Sequence, residues 1–243
     1  VVGRYRGSMM GLLWSFASPL VMLAVYTFVF GTVFRVRWQT GDGDTASFAL
    51  NLFAGVLLHA FLAECLNRSP ALIAENTGYV KKVVFPLWII PVVLVLAALF
   101  HLLVGLLVLI VGAGVVQQQV HAGVLLLPLL LLPFALLALG LSWLIAALGV
   151  YLRDLAQVLP VVSTMLLFLA PVLYPLEALP AGLREHLYLN PLTHVIGELR
   201  ALVLGGALPD WPALARFTAV ALVVALLGWQ VFRKAQPGFA DVL

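Results

Sequence analysis

The sequence predicts an all-α integral membrane protein with six transmembrane helices and short helices between them. Three observations predict it. Of 243 residues, 64% are hydrophobic and 9% charged, where a soluble domain is about 45–50% apolar and roughly 25% charged. Mean hydropathy is +1.14. A soluble fold of this size could not bury so much apolar surface, so the bilayer must solvate most of it. Charges are also missing from long runs: Gly7–Phe34, Thr45–Ala63, Val83–Leu152 and Leu155–Leu176. A spanning helix needs about 20 mainly apolar residues.

Cutting the chain at its charges places helix 1 at 12–34 and helix 2 at 47–66. The run after Lys82 is too long for one span. Its polar break, "VVQQQVHAG" with Gln117, Gln118, Gln119 and His121, divides it into 87–115 and 124–151. Helix 5 follows at 155–173. Helix 6 covers 212–232, with Arg216 near one end, where its stem can snorkel to the interface. Residues 1–34 do not read as a signal peptide: the apolar run is too long and no small-residue cleavage site follows it.

Six spans put both termini on one side. With the N-terminus inside, eight basic residues fall inside (Arg4, Arg6, Arg68, Lys81, Lys82, Arg153, Arg233, Lys234) and five outside (Arg35, Arg37, Arg184, Arg200, Arg216). The positive-inside rule favours this orientation. It also explains a net charge of +3 and a pI near 9.3 without a nucleic-acid partner. Arg153 and Asp154 then mark a tight inside turn where the chain returns to the membrane. The single cysteine, Cys65, excludes an intramolecular disulfide and any multi-cysteine zinc site.

The connections carry the remaining pattern. In "RSPALIAENTGYVKKVVFP" (68–86), Ser69 is placed to cap a short helix with Pro70 at its first position. Leu72 and Ile73 with polar Glu75 and Asn76 suit an amphipathic turn that Gly78 would end. The plain alternative is a surface loop anchored by Lys81 and Lys82. Residues 1–11 suit either an interfacial helix, with Arg4 and Arg6 on phosphates and Tyr5 at headgroup depth, or a basic tail. Residues 171–211 carry five prolines and an amphipathic stretch with Leu192, Val195, Ile196, Leu199, Leu202 and Val203 on one face. Two short helices breaking at Asn190–Pro191 are expected, dipping part way into the membrane where protein or water shields them, or else capping the surface.

Catalytic chemistry is not legible. His194 and Glu198 share a helix face but lack further metal ligands, so a hydrogen-bonding pair is the simpler reading. His59 and Glu64 are intramembrane ionisable groups, either beside a water-filled path or near the interface. No Gly-x-Ser-x-Gly elbow surrounds Ser142, and every aspartate falls outside the spans. The chain has no Gly-x-x-x-x-Gly-Lys-Ser/Thr loop, so energised transport must draw on a partner. Aromatics crowd helix 1 (Trp14, Tyr26, Phe30 and Phe34 among them), as an interfacial belt or as faces on which sugar rings stack.

The motifs also resemble, in order and over almost the whole chain, the membrane subunit of the type-2 ABC exporters of the polysaccharide branch (O-antigen, capsule, teichoic acid). "RYRGSMMGLLWSFASPL" (4–20) resembles its opening segment and "VYTFVFGTVF" (25–34) the end of its first span. "NTGYVKKVVFPLWIIP" (76–91), "YLRDLAQVLP" (151–160), "LAPVLYP" (169–175) and "LNPLTHVIGELRALVLGG" (189–206) are similar to its later motifs. Met10 stands where the family usually has leucine, and "RVRWQTGDGDTAS" (35–47) carries no family signal.

The resemblance implies a single permease domain that forms a channel as a homodimer in the bacterial inner (cytoplasmic) membrane. Two ATP-binding cassette subunits would sit beneath it, with ATP and magnesium held there and no cofactor on this chain. Loop 68–85 would couple to the ATPase through Leu72, Glu75, Asn76, Tyr79, Lys81 and Lys82. Arg4, Tyr5, Arg6, Arg153 and Asp154 would lie at the cytoplasmic entrance. Trp14, Tyr26, Phe30 and Phe34 would be channel aromatics. Residues 174–211 would form outer gate helices, with Tyr174, Asn190, Pro191, His194, Glu198 and Arg200. The substrate would be a lipid-linked polysaccharide. The alternatives are export of a smaller amphiphile, a membrane enzyme acting on lipid-linked sugars, and a structural scaffold.

Overall fold

The computed structural model describes residues 13–29, 45–78, 85–176, 180–187 and 190–242. These form helices α1 (Leu13–Tyr26), α2 (Thr45–Arg68), α3 (Ile89–Gln117), α4 (Leu127–Tyr151), α5 (Leu155–Phe168), α6 (Ala181–Leu187), α7 (Pro191–Val203), α8 (Trp211–Ala235) and α9 (Phe239–Val242). There is no strand among the described residues. Among the described residues four segments are long and apolar enough to cross a membrane: Ala46–Arg68, Ile89–Gln117, Ala122–Tyr151 and Trp211–Val242. Two shorter apolar helices, Ala17–Val29 and Leu155–Phe168, accompany them. The protein is thus a multi-pass membrane protein whose described elements are all helical.

Proline placement accounts for several boundaries. Pro91, Pro128 and Pro212 sit in the first turns of α3, α4 and α8, where a missing N–H costs no helical bond. The last helical turn of α1 passes into π geometry at 27–29, and the Thr27 hydroxyl donates to the Leu23 carbonyl at 2.8 Å. Helix 5 was expected to reach 173, but α5 stops at Phe168. Pro171 cannot donate to a helical carbonyl and disfavours helix in the residue before it. At 14 residues, α5 is about 21 Å long, shorter than a hydrocarbon core of about 30 Å.

The chain divides into two compact units. One comprises Val1–His59, Phe100–Pro128 and Leu167–Asp210; the other comprises Ala60–Leu99, Leu129–Leu166 and Trp211–Leu243. In the first, α7 buries Leu192, Val195, Ile196, Leu199, Leu202 and Val203, the face set by their three- and four-residue spacing. Phe48, Leu52 and Phe53 of α2 and Leu102, Leu106 and Leu109 of α3 belong to the same unit and are also buried.

In the second unit, α4 and α8 meet backbone to backbone. A Cβ on Gly140 would lie 2.6 Å from the Ala225 Cα, and one on Gly228 would land on the Gly140 carbonyl. Close approach through small residues is how membrane helices gain packing where lipid removes the hydrophobic drive. Trp88, Trp143 and Trp229 cluster in this unit, with ring centroids 5.6 Å and 5.1 Å apart for the two pairs that include Trp229. Trp143 Nε1 donates to the Trp88 carbonyl at 3.1 Å, satisfying the indole's polar end. The rest of α8 presents Val220, Leu222, Val223, Leu226 and Leu227 outward, an apolar face suited to lipid.

Candidate functional site

Three of the residues singled out between helices 5 and 6 converge on one stretch of backbone. A helix that ends leaves its last carbonyls without N–H partners, and in a membrane such groups must be satisfied by protein. After α5, the Tyr174 hydroxyl donates to the Phe168 carbonyl at 2.8 Å. Asn190 Nδ2 donates to the Leu169 carbonyl at 3.2 Å. The Val172 N–H donates to the Ala170 carbonyl at 2.7 Å. Arg200 Nη1 donates to the Pro171 carbonyl at 2.8 Å and Nη2 to the Val172 carbonyl at 3.2 Å. Every carbonyl from Phe168 to Val172 therefore has a donor.

Arg200 reaches further. Its Nε donates to the Asn51 carbonyl at 2.9 Å, so one guanidinium joins α7, α2 and the segment after α5. Its planar fork of donors fits this task where a lysine would not. Gly55 makes the room: a Cβ there would lie 3.0 Å from the Val172 Cα and 3.1 Å from Arg200 Nη2. Asn190 also has a second role. Its Oδ1 accepts the Leu192 N–H at 3.0 Å, the N-cap bond expected ahead of a proline at the first helical position. Burial pushes the Tyr174 phenol up.

The other end of α7 is held by residues read in the sequence only as a polar break. Gln117 Nε2 donates to the Leu204 carbonyl at 2.9 Å. A Cβ on Gly123 would lie 2.8 Å from the Leu202 carbonyl, so only a glycine lets the 122–126 turn approach. Gly206 adopts φ +63° against the His121 ring, a backbone state that disfavours side chains.

His194 and Glu198 lie on α7 outside its fully buried face. Glu198 Oε1 accepts the Asp210 N–H at 3.4 Å. Burial raises the Glu198 carboxyl above the usual carboxylate range; the Asp210 N–H opposes this and the Asp210 charge adds to it. A folded-state value above the unfolded one gives stability that is full below the unfolded value and lost as pH rises through the folded one. Glu198→Gln should abolish this dependence. It should leave the protein equal or more stable at pH 7, by less than about 1 kcal/mol once solvent screening is allowed for. Thermal unfolding of both proteins between pH 4.5 and 7.5 checks it; a variant less stable at pH 7 would refute the sign. Among the described residues no three His, Cys, Asp or Glu side chains gather as a metal site.

In the second unit the loop after α2 is partly turned inward. Ser69 does not cap a helix: its hydroxyl donates to the Cys65 carbonyl at 2.6 Å, because α2 continues to Arg68 and offers the i−4 acceptor. The short turn Ala74–Asn76 starts instead from Ile73, without a side-chain cap. Leu72 is buried, Glu75 is exposed, and Asn76 Nδ2 donates to the Leu72 carbonyl at 2.8 Å. Tyr79, Lys81 and Lys82 lie outside the described residues, as do Arg4, Tyr5, Arg6, Phe30, Phe34 and the side chain of Trp14. Tyr26 is half-buried at the end of α1. Glu64 pairs with Arg68 at 3.0 Å. Arg153 and Asp154 are exposed in the turn before α5, where the Asp154 carbonyl accepts the Gln157 and Val158 N–H groups at 2.9 and 3.1 Å. Sequence reasoning also missed a part-buried polar contact in this unit: the Ser163 hydroxyl of α5 donates to Asn67 Oδ1 of α2 at 2.8 Å.

Comparison with known proteins places this arrangement. The family model described as ABC-2 type transporter matches residues 1–204. The chain is 27% identical over 240 residues to the O-antigen export system permease protein RfbA of Myxococcus xanthus, spanning 98% of this chain and 90% of that protein. Two Klebsiella pneumoniae proteins of the same name are similar, at 27% over 242 residues and 25% over 241. Each match spans 99% of this chain and 90% of the relative.

Proposed function

The chain belongs to the ABC-2 type transporter family, and from that premise we propose that it is the channel-forming permease subunit of an ATP-driven exporter of lipid-linked polysaccharide. The observation that carries this reading is the near end-to-end match to three permeases named for O-antigen export. A chain that shares only a domain would not align over 98% of its length. The donor-satisfied break after α5 supports it too, since irregular backbone at membrane depth is tolerated where protein or a water-filled cavity surrounds it.

In this reading the protein lies in the bacterial inner membrane as a homodimer with six spans per subunit and both termini cytoplasmic. The shorter helices α1 and α5 complete the set begun by the four long segments. ATP and magnesium act on two separate cassette subunits. Loop 68–85 couples to them through Leu72, Glu75, Asn76, Tyr79, Lys81 and Lys82, with Glu75 the exposed contact and Leu72 the inward support. Arg4, Tyr5, Arg6, Arg153 and Asp154 line the cytoplasmic entrance, where the arginines meet lipid pyrophosphate. Trp14, Tyr26, Phe30 and Phe34 offer aromatic faces to the sugar chain. Residues 174–211 form the outer gate, in which Pro191 starts α7, Tyr174, Asn190 and Arg200 position it, and His194 and Glu198 lie off its buried face.

The test is deletion of the gene in its source bacterium. Surface polysaccharide should disappear while lipid-linked polysaccharide accumulates inside, and the intact gene should reverse both. Unchanged surface polymer without internal build-up would remove the polysaccharide reading and leave export of a smaller amphiphile.

A further inference from the structure

The last residues of the chain have no role in the reading above, yet they are packed as core. After α8 the chain turns through Gln236–Gly238 into α9. Pro237, Ala240, Asp241 and Val242 are exposed, but Phe239 between them is 0% exposed. Its ring lies 5.5 Å from Phe232 and 6.2 Å from Tyr151, centroid to centroid. The Tyr151 hydroxyl donates to the Ala235 carbonyl at 3.1 Å, fixing the start of the turn. Gly238 leaves space for that hydroxyl, since a Cβ there would lie 2.7 Å away.

Phe239 shares one buried cluster with Ile73, Leu87 and Val150. Ile73 is the inward residue of the loop after α2, also 0% exposed, two positions before exposed Glu75. Leu87 lies where that loop rejoins the membrane segments at α3. The same loop is fixed at its start by Gly149 of α4, whose absent side chain lets Pro70 press against the helix backbone. The loop is thus gripped at Pro70 and Ile73, Leu87 packs just beyond it, and Phe239 supplies one wall of the grip.

From this packing we infer that the C-terminal segment Gln236–Val242 is a positioning element for the coupling loop, with Phe239 as its anchor. The inference rests on loop 68–85 being the ATPase contact. A force from a nucleotide-driven partner reaches the spans only if the loop is seated on them. Core packing transmits displacement because interiors are close-packed and yield little. Emptying the Phe239 site removes one wall and leaves the helices themselves in place.

The test uses the full complex with its ATPase subunits in lipid nanodiscs, carrying a nitroxide at Ala74→Cys, an exposed position of the same turn outside the named ATPase contacts; Cys65 is fully buried and labels slowly. Phe239→Ala should increase the mobility of the label. It should also lower polysaccharide export per assembled complex about tenfold while ATP hydrolysis falls less than threefold. Phe239→Leu, which refills most of the volume, should restore both. Unchanged label mobility, or export that falls only in proportion to the amount of assembled protein, would overturn the inference. A mobilised label in a complex whose unmutated form exports no polysaccharide would sink the export reading and leave the seating role of Phe239 standing.

Discussion

Arg200→Ala should destabilise the protein by about 3 kcal/mol or more and abolish transport. The substitution removes the donors to the Asn51, Pro171 and Val172 carbonyls at once. Each acceptor left without a partner costs about 1–3 kcal/mol, and bonds from a charged donor sit at the strong end. For a domain of this size 1 kcal/mol moves Tm by roughly 2–4 °C, so thermal unfolding in detergent should fall by about 10 °C. Arg200→Lys should recover only part of it, because one ammonium cannot replace the fork. A midpoint for Arg200→Ala within two degrees of the unmutated protein would show that α7 is held by its apolar face alone.

Gly228→Val is expected to be at least as damaging, for a different reason. Overpacking a core usually costs about 1–3 kcal/mol because side chains move aside. Here the obstacle is the Gly140 backbone, its carbonyl first and its Cα behind it. Neither can rotate away, so α4 and α8 must separate along their length. We expect a loss of about 3 kcal/mol or more and a fall in the amount of protein inserted. Gly197 is the matched control: a Cβ there meets nothing within 4 Å. Gly197→Ala should be neutral or gain up to about 1 kcal/mol from helix propensity. Equal behaviour of the two variants, by unfolding midpoint and membrane yield, would show that the crossing is looser than its geometry.

The long helices were legible because absence of charge is a local signal: the expected 47–66, 87–115, 124–151 and 212–232 lie close to α2, α3, α4 and α8. The buried face of α7 was legible for the same reason, since three- and four-residue spacing is written within one segment. Asn190–Pro191 was legible as the break between two short helices, but not as the cap and first position of α7. The partners of Arg200 were not. A carbonyl is the same on every residue, so nothing in the sequence marks Asn51 or Pro171 as an acceptor. The glycine crossing was hidden because its two halves sit on helices far apart in the chain. Ser69 misled because a hydroxyl after a helix can cap forward or bond backward, and only the length of α2 decides which.

The string of satisfied carbonyls after α5 has a consequence for how the chain is made. The donors to Leu169, Pro171 and Val172 stand 21, 29 and 28 residues downstream. At a synthesis rate of roughly 5–20 residues per second, those acceptors exist for a second or more before Asn190 and Arg200 leave the ribosome. Until then those three carbonyls can be served only by water or by the insertion machinery. The helix is therefore completed retroactively, and the nascent protein carries an unfinished polar end through the interval in which its neighbours are already placed.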